Sequence, residues 1–341
     1  MERRELTGSP RIAPLYLRAA ATLIPGAGRL PGVPGGGGPM PALEIGLRDV
    51  MIDPERLSEY ARICGFAPED AVPATFLHVL AFPLHMALMS DGRFPFAAIG
   101  LVHVENEITQ LRPIAAGERV SFTVKAGPIE PHPRGLTFSI LTSAHSGGEP
   151  VWRERSTMLR RGGAPGAGGK PGTTGARAAT PRESAEPDET RGAPVGAAAN
   201  GTSAAHGPLS ESWRVPEDIG RRYGAVSGDR NPIHIHRVSA KAFGFPRAIA
   251  HGMWTKARSL AALGRQAPES FTVEVSFRKP VLLPASTLFE GRDEGDRVGF
   301  SLRSADGAAL HLEGQLRPIG EPARAEGAPA QAGEPANGVT R

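Results

Sequence analysis

The sequence predicts an α+β protein built from two similar units, in each of which antiparallel strands follow one buried helix. In the first unit, residues 76–89 are apolar on nearly every side of a helix, which is typical of a helix enclosed by a core. The stretches 120–124 and 136–140 then alternate apolar and polar residues with the period of two that marks strands. The second unit repeats this order at residues 252–263 and 271–302, which indicates an internal duplication.

Each unit is expected to open with a shorter helix. Asp53-Pro54-Glu55 precedes a helical pattern that ends at Gly65, and Val215-Pro216-Glu217 precedes one that ends at Gly228. Asp, Pro and Glu are favoured at the start of a helix, and Gly directly after its end. The two patterns therefore supply a register in which Gly65 corresponds to Gly228.

Two segments lack the large apolar residues that a core requires. Residues 162–208 contain no Leu, Ile, Met or aromatic residue, and Val195 is the only large aliphatic side chain. Such a segment cannot offset the entropy lost on ordering, so we predict a disordered linker. Residues 320–341 have the same composition and are predicted to be a disordered tail. The two folded units are then residues 45–161 and 209–319.

The N-terminal residues 1–44 are expected to be a flexible, amphipathic segment. Residues 15–24 are apolar but interrupted by Arg18, and they are too few to span a bilayer. Residues 26–39 are rich in glycine. We therefore expect neither an integral membrane segment nor a folded domain here.

The composition excludes several classes of protein. The 341 residues include 39 Lys and Arg and 35 Asp and Glu, which gives a formal net charge of +4 with both signs interspersed. No basic block with interleaved aromatic residues occurs, so nucleic acid is not an expected partner. The single cysteine, Cys64, excludes an internal disulfide and fits a reducing compartment. A cytoplasmic location is therefore predicted.

The stretch Ser227-Gly228-Asp229-Arg230-Asn231-Pro232-Ile233-His234 carries the residues expected to do chemistry. Its Gly and Asn-Pro favour a tight loop that can bring the carboxylate of Asp229 beside the imidazole of His234. Taken alone, the same residues are also typical of a surface turn. The later His251-Gly252-Met253 opens a helix, where unpaired backbone N–H groups can form an oxyanion hole. Together the two stretches indicate proton transfer next to a carbonyl group.

The ordered combination of these residues resembles the signature of the MaoC-like, or hydratase 2, family. The resemblance includes the distance in sequence between Asn231-Pro232 and His251-Gly252. It implies a hydro-lyase that adds water to trans-2-enoyl thioesters or removes it from (R)-3-hydroxyacyl thioesters in fatty-acid metabolism.

Further stretches extend the resemblance to double hot-dog 3-hydroxyacyl-thioester dehydratases of the mycobacterial type. They are Pro95-Phe96-Ala97-Ala98-Ile99-Gly100, Phe243-Gly244-Phe245-Pro246 and Lys279-Pro280-Val281-Leu282-Leu283-Pro284. The implied fold is a double hot-dog, in which two sheets each wrap a central helix and join into one continuous curved sheet.

The acid and base of the implied reaction are Asp229 and His234, acting on one face of the substrate. Asn231 is expected to orient the pair or the water, and the backbone N–H of Gly252 to donate to the thioester oxygen. The sequence leaves open which of Asp229 and His234 is the base. His236 and His251 are expected to be structural, and neither a metal nor another cofactor is expected.

The first unit is expected to be catalytically silent. In the alignment of the units Phe66 falls opposite Asp229, and no imidazole follows nearby. Its roles would be to complete the sheet and to shape an apolar tunnel for the acyl chain. Most of residues 76–89 are nevertheless expected to be core residues.

Arg278 and Lys279, at the end of a predicted strand, are candidates to bind the phosphates of the thioester carrier. An ordinary solvated strand end would look the same. The expected substrate is a thioester of coenzyme A or of acyl carrier protein. The sequence leaves open whether the protein forms a homodimer. The alternative to an enzyme is a non-catalytic hot-dog subunit that binds acyl thioesters, and such a subunit would be expected to have lost at least one of the four catalytic residues.

Overall fold

The computed structural model describes residues 1–162 and 209–320, except residues 23, 25, 31, 68–70 and 265–266. All of the predicted linker but Gly162, and all of the predicted tail but Gly320, lie outside the described residues. Within the described part, strands form one sheet and helices pack against it.

The strands are β1 (Glu2–Leu6), β2 (Leu43–Met51), β3 (Val102–Gln110), β4 (Arg119–His132), β5 (Gly135–Ser146), β6 (Glu149–Arg161), β7 (Leu209–Val215), β8 (Phe271–Phe277), β9 (Ala285–Asp293), β10 (Val298–Ser304) and β11 (Leu310–Pro318). Their order in the sheet is β1-β2-β4-β5-β6-β3-β8-β11-β10-β9-β7. The strands expected from alternating residues are confirmed.

The helices are α1 (Ile12–Ala21), α2 (Pro54–Cys64), α3 (Ala74–Met89), α4 (Ile219–Ser227), α5 (Pro232–Ile235), α6 (Arg237–Ala242) and α7 (Gly252–Leu263), with a short 3-10 turn at Ala27–Arg29. Helix α3 is buried along almost its whole length, Ala87 being the one half-buried residue. It contains Pro83, as its sequence indicates. The two apolar helices predicted from the sequence are confirmed as α3 and α7.

The two halves of the chain meet at an antiparallel pair formed by β3 and β8. The pair runs from Glu105 opposite Ser276 to Gln110 opposite Phe271. On either side of this junction the strands follow the same order, with β6, β5, β4 and β2 in one half matching β11, β10, β9 and β7 in the other. The prediction of a double hot-dog fold with one continuous sheet is confirmed.

The duplicated short helices are also found, and they pack on each other. Helix α2 is capped by Asp53, whose carboxylate accepts from the N–H of Glu55 at 3.0 Å. It ends at Gly65 with φ 80°, and α4 ends at Gly228 with φ 83°. These left-handed conformations are the reason for glycine at both positions. The structure therefore agrees with the alignment of the two units in which Gly65 corresponds to Gly228.

The described part of residues 1–44, which composition predicts to be flexible and amphipathic, forms elements that contact the rest of the protein. Strand β1 pairs in parallel with β2, helix α1 packs against α3, and the N–H of Gly35 donates to the Phe94 carbonyl at 2.8 Å. Ala19 of α1 is fully buried. Composition underestimates order here because the partners that stabilise this segment lie far along the chain.

Among residues 1–162 and 209–320, no helix is long and apolar enough to cross a membrane.

Candidate active site

The loop that carries Asp229 is fixed by short local hydrogen bonds. The N–H of Asp229 donates to the Ser227 hydroxyl at 3.1 Å, and the N–H of Asn231 donates to Asp229 Oδ1 at 3.1 Å. The Asn231 side chain accepts from the N–H of Ile233 at 3.4 Å and thus caps α5. Asn231 therefore holds Asp229 through its backbone, while its side chain starts the helix that carries His234.

His234 is presented as a neutral ring with a defined tautomer. Its Nδ1 lies 2.8 Å from the Ile249 carbonyl oxygen, which can only accept, so Nδ1 carries the proton. Burial lowers the pKa of His234 below its ordinary value, although Asp229 and the Ile249 carbonyl act in the opposite direction. Nε2 is consequently an unprotonated acceptor at neutral pH.

His251, which the sequence predicts to be structural, belongs to the same cluster. Its ring stacks on that of His234 with centroids 3.7 Å apart. Its Nε2 lies 2.9 Å from the Asp229 carbonyl and 3.8 Å from Asp229 Oδ2. Burial, together with the adjacent His234, lowers the pKa of His251 to about 3. The only sequence feature that indicates a place for His251 in this cluster is its position directly before Gly252.

His236 has the structural role that the sequence predicts, because its Nδ1 accepts from the N–H of Val238 at 3.2 Å and caps α6. His234 lies on the one-turn helix α5, and His236 lies between α5 and α6. Proline at the first position of α5 favours the helical turn.

Asp229 is an ionised carboxylate held by several partners. Burial alone would raise the pKa of Asp229, but His251, His234, the Tyr16 hydroxyl and the Asn231 N–H together lower it. Tyr16 comes from α1, and its hydroxyl donates to Asp229 Oδ1 at 2.8 Å. No sequence pattern points to Tyr16, which is 213 residues away from Asp229.

Gly252 is the first residue of α7, where backbone N–H groups have no carbonyl partner within the helix. A Cβ at this position would lie only 3.1 Å from the Phe277 ring. The preceding segment is fixed because the N–H of Ala250 donates to the Val281 carbonyl at 2.9 Å. The positive end of the α7 dipole thus lies at the wall of the cavity that Gly252 lines.

Asp229, Asn231, His234, His251 and Gly252 all line one cavity of about 180 Å³. Both halves of the molecule contribute to its wall. Side chains of the first half that line it are His78, Phe82, His85, Met89, Leu101, Val102, His103, Ile140, Ser156, Met158 and Arg161. Helix α3 thus contributes part of the cavity wall, while most of its residues belong to the core.

Arg278 and Lys279 also line this cavity and are exposed to solvent. Arg278 is not a free cation, because its Nε donates to Glu313 Oε1 at 3.0 Å. The position of both residues at the rim agrees with the sequence analysis, and their role in binding phosphate stays a prediction.

Within the part of the chain that the structure describes, two groups of side chains have enough nitrogen and oxygen atoms to hold a metal ion. They are Asp229 with His234 and His251, and Glu154 with His78 and His85, with ligand atoms within 4.8 Å of one another in each group. In both groups hydrogen bonds already engage ring nitrogens.

Phe66, which corresponds to Asp229 in the first half, stacks on Tyr60 with ring centroids 6.3 Å apart. It packs against the core and does not line the cavity. The first half thus has, at the position that corresponds to Asp229, an aromatic ring that packs against the core instead of a carboxylate.

Comparison with known proteins agrees with this geometry. The family model described as "MaoC like domain" matches residues 194–314. A curated relative, 3-hydroxyacyl-thioester dehydratase X of Mycobacterium tuberculosis, is 36% identical over 302 residues, which cover 88% of this chain and 96% of the relative.

Solved structures show the same fold. The crystal structure of that mycobacterial protein superposes with a TM-score of 0.65 and 31% identity, covering 81% of this chain and 100% of the other. A MaoC-like dehydratase from Phytophthora capsici gives a TM-score of 0.59 at 19% identity, with 81% and 95% covered, which supports the fold alone.

Proposed function

Because the chain belongs to the MaoC-like dehydratase family, a family of hydro-lyases, we propose that it interconverts (R)-3-hydroxyacyl and trans-2-enoyl thioesters. The observation that carries this proposal is the shared cavity of Asp229, His234 and Gly252. A carboxylate, a neutral imidazole and an unpaired helix N-terminus face the same space. This set matches the needs of water addition next to a thioester carbonyl.

The protonation states support a water held between two acceptors. Asp229 is ionised and His234 Nε2 is unprotonated, so each can accept one hydrogen of the same water molecule. The water oxygen then adds to carbon 3 of the enoyl group. One water proton passes to Asp229 or His234 and is delivered to carbon 2 on the same face, which restores the free enzyme. Both groups can act as the base.

Charge that develops on the thioester oxygen would be stabilised by the first turn of α7. The N–H of Gly252 donates there, and the helix dipole adds to the effect. Since Asp229 and His234 are close together in the cavity, water would reach one face of the substrate, and a single isomer is expected, which the family resemblance implies is (R). Arg278 and Lys279 at the rim would contact the phosphates of coenzyme A or of the phosphopantetheine arm of acyl carrier protein.

The test is hydration of crotonyl-CoA, followed by loss of the enoyl-thioester absorbance and by chiral analysis of the product. Asp229→Asn and His234→Ala are each expected to lower kcat by about 10² to 10⁴ because each removes a proton-transfer group. The matched control is Phe66→Leu, at the equivalent position of the first half, which should retain turnover. Full activity in both site variants, or an (S) product, would contradict the proposal.

A non-catalytic acyl-binding subunit remains the competing hypothesis. It would bind crotonyl-CoA without consuming it, and Asp229→Asn would leave its behaviour unchanged. The same assay therefore separates the two.

A further inference from the structure

The first half of the molecule contains a buried polar cluster that the proposed reaction does not use. His78 lies on α3, Glu154 on β6 and Asn106 on β3. The carboxylate of Glu154 is fully buried and accepts from His78 Nδ1 at 2.7 Å and from Asn106 Nδ2 at 2.6 Å. Burial alone would raise the pKa of Glu154, but His78, His85 and Asn106 lower it to about 2. Glu154 is therefore a carboxylate at neutral pH.

The bond to Glu154 determines how His78 faces the cavity. Because a carboxylate can only accept, Nδ1 of His78 carries the proton. The other ring nitrogen, Nε2, has no hydrogen-bond partner within the described residues. His78 lines the same cavity as Asp229 and His234. A histidine oriented in this way by a carboxylate presents its free ring nitrogen to a bound molecule.

Two other polar groups line the cavity near His78. His103 stacks beside His78 with ring centroids 6.4 Å apart, and its Nε2 is buried without a hydrogen-bond partner among the described residues. Burial, with the nearby His78, lowers the pKa of His103 to about 3, so this ring is neutral. The Ser156 oxygen accepts from Asn106 at 3.0 Å, which leaves its O–H available to donate.

The surroundings of these groups are apolar, since Phe82, Leu101 and Met158 line the same part of the cavity. A purely hydrocarbon acyl chain would cover the polar atoms and leave them without partners, which is unfavourable. A hydroxyl group on the chain can both donate and accept, so it would satisfy the free Nε2 of His78 or of His103 and accept from the Ser156 hydroxyl. A metal ion that used His85 Nε2 would have to displace its 2.8 Å bond to Thr142 Oγ1.

We propose that His78, His103 and Ser156 form a subsite for a hydroxyl group on the acyl chain, beyond the carbons that react. The natural substrate would then be an acyl thioester that carries a second oxygen function. This inference rests on the proposed function for the class of ligand, and it adds a preference that the chemistry at Asp229 and His234 does not require.

Binding measurements with ligands that do not react test the subsite separately from catalysis. A saturated acyl-CoA and its singly hydroxylated counterparts, with the hydroxyl at each carbon beyond carbon 3, do not react and can be titrated by calorimetry. We expect one hydroxylated isomer to bind about tenfold tighter than the unsubstituted chain, the gain of roughly one well-formed hydrogen bond. Crotonyl-CoA hydration, measured separately, reports on the proposed function alone.

Two variants test the assignment. Ser156→Ala leaves Asn106 paired with Glu154, and His78→Gln keeps an amide donor for Glu154 while removing the free ring nitrogen. Both should bind the unsubstituted chain as the wild type does and lose most of the preference for the hydroxyl. Ser139→Ala, which changes a serine bonded to Thr157 at 3.2 Å and not lining this cavity, is the control and should keep the preference.

Three results would overturn the inference. One is that all hydroxylated isomers bind within twofold of the unsubstituted chain. Another is that the preference survives in both variants. The third is a stoichiometric divalent metal in the purified wild type that is lost in His78→Gln, which would assign these residues to a metal site instead.

Discussion

Removal of the Tyr16 hydroxyl should impair catalysis although Tyr16 lies outside both sequence motifs. In the substitution Tyr16→Phe the ring of α1 keeps its packing, and only the donor to Asp229 Oδ1 at 2.8 Å is lost. Asp229 Oδ1 would retain the Asn231 N–H, while Oδ2 lies near His251. The variant therefore tests one hydrogen bond to an ionised group.

The expected magnitude follows from the nature of that bond. A hydrogen bond to a charged partner contributes about 1.5 to 3 kcal/mol. If it is needed to hold Asp229 in the reactive position, its loss lowers kcat/KM by about 10-fold to 100-fold. Tyr16 is one of the groups that lower the pKa of Asp229, so its removal raises that pKa. The acid limb of the pH profile should then move to higher pH.

The assay is kcat/KM for crotonyl-CoA hydration as a function of pH. Tyr60→Phe removes the same hydroxyl from a buried tyrosine that does not line the cavity, and it should leave kcat/KM within about twofold of the wild type. An unchanged acid limb together with unchanged kcat/KM in Tyr16→Phe would refute the role of Tyr16.

Three further predictions concern the oxyanion donor, a buried lysine and the rim. Gly252→Ala should lower kcat at least tenfold with the fold retained, because the new Cβ would meet Phe277 at 3.1 Å and shift the donor N–H. Unchanged steady-state kinetics would exclude the Gly252 N–H as the donor to the thioester oxygen. Lys256 is fully buried, and burial lowers its pKa from 10.5 to about 7. Between these two pH values the unfolded chain binds one more proton than the folded chain. The free energy of unfolding therefore rises with pH in this range. Urea unfolding should show that Lys256→Met removes a slope of about 1.4 kcal/mol per pH unit near pH 8.5, and identical slopes would disprove the buried, neutral lysine. Reversing the charges of Arg278 and Lys279 should raise KM for crotonyl-CoA more at low salt than at high salt with little change in kcat, and an unchanged KM would remove the two phosphate contacts.

The sequence alone determined the elements of the fold and the central motif. The apolar pattern of residues 76–89 required a buried helix, and the glycines at 65 and 228 marked equivalent helix ends in the two halves. Alternating residues located strands on both sides of the junction. Asp229 and His234 could be found because a turn brings residues five positions apart into one site, so local sequence contains the geometry.

Only the tertiary structure decided which distant groups join that site. Tyr16 reaches Asp229 from the segment that composition marked as flexible, and His251 stacks on His234 after a separate loop. The cluster of His78 and Glu154 joins residues 76 positions apart, and it appears only when α3 lies across the sheet. Sequence patterns record the period of a helix or strand and the preferences of a turn. Hydrogen bonds between distant residues depend instead on how those elements pack, because packing alone sets the distance and direction between their side chains.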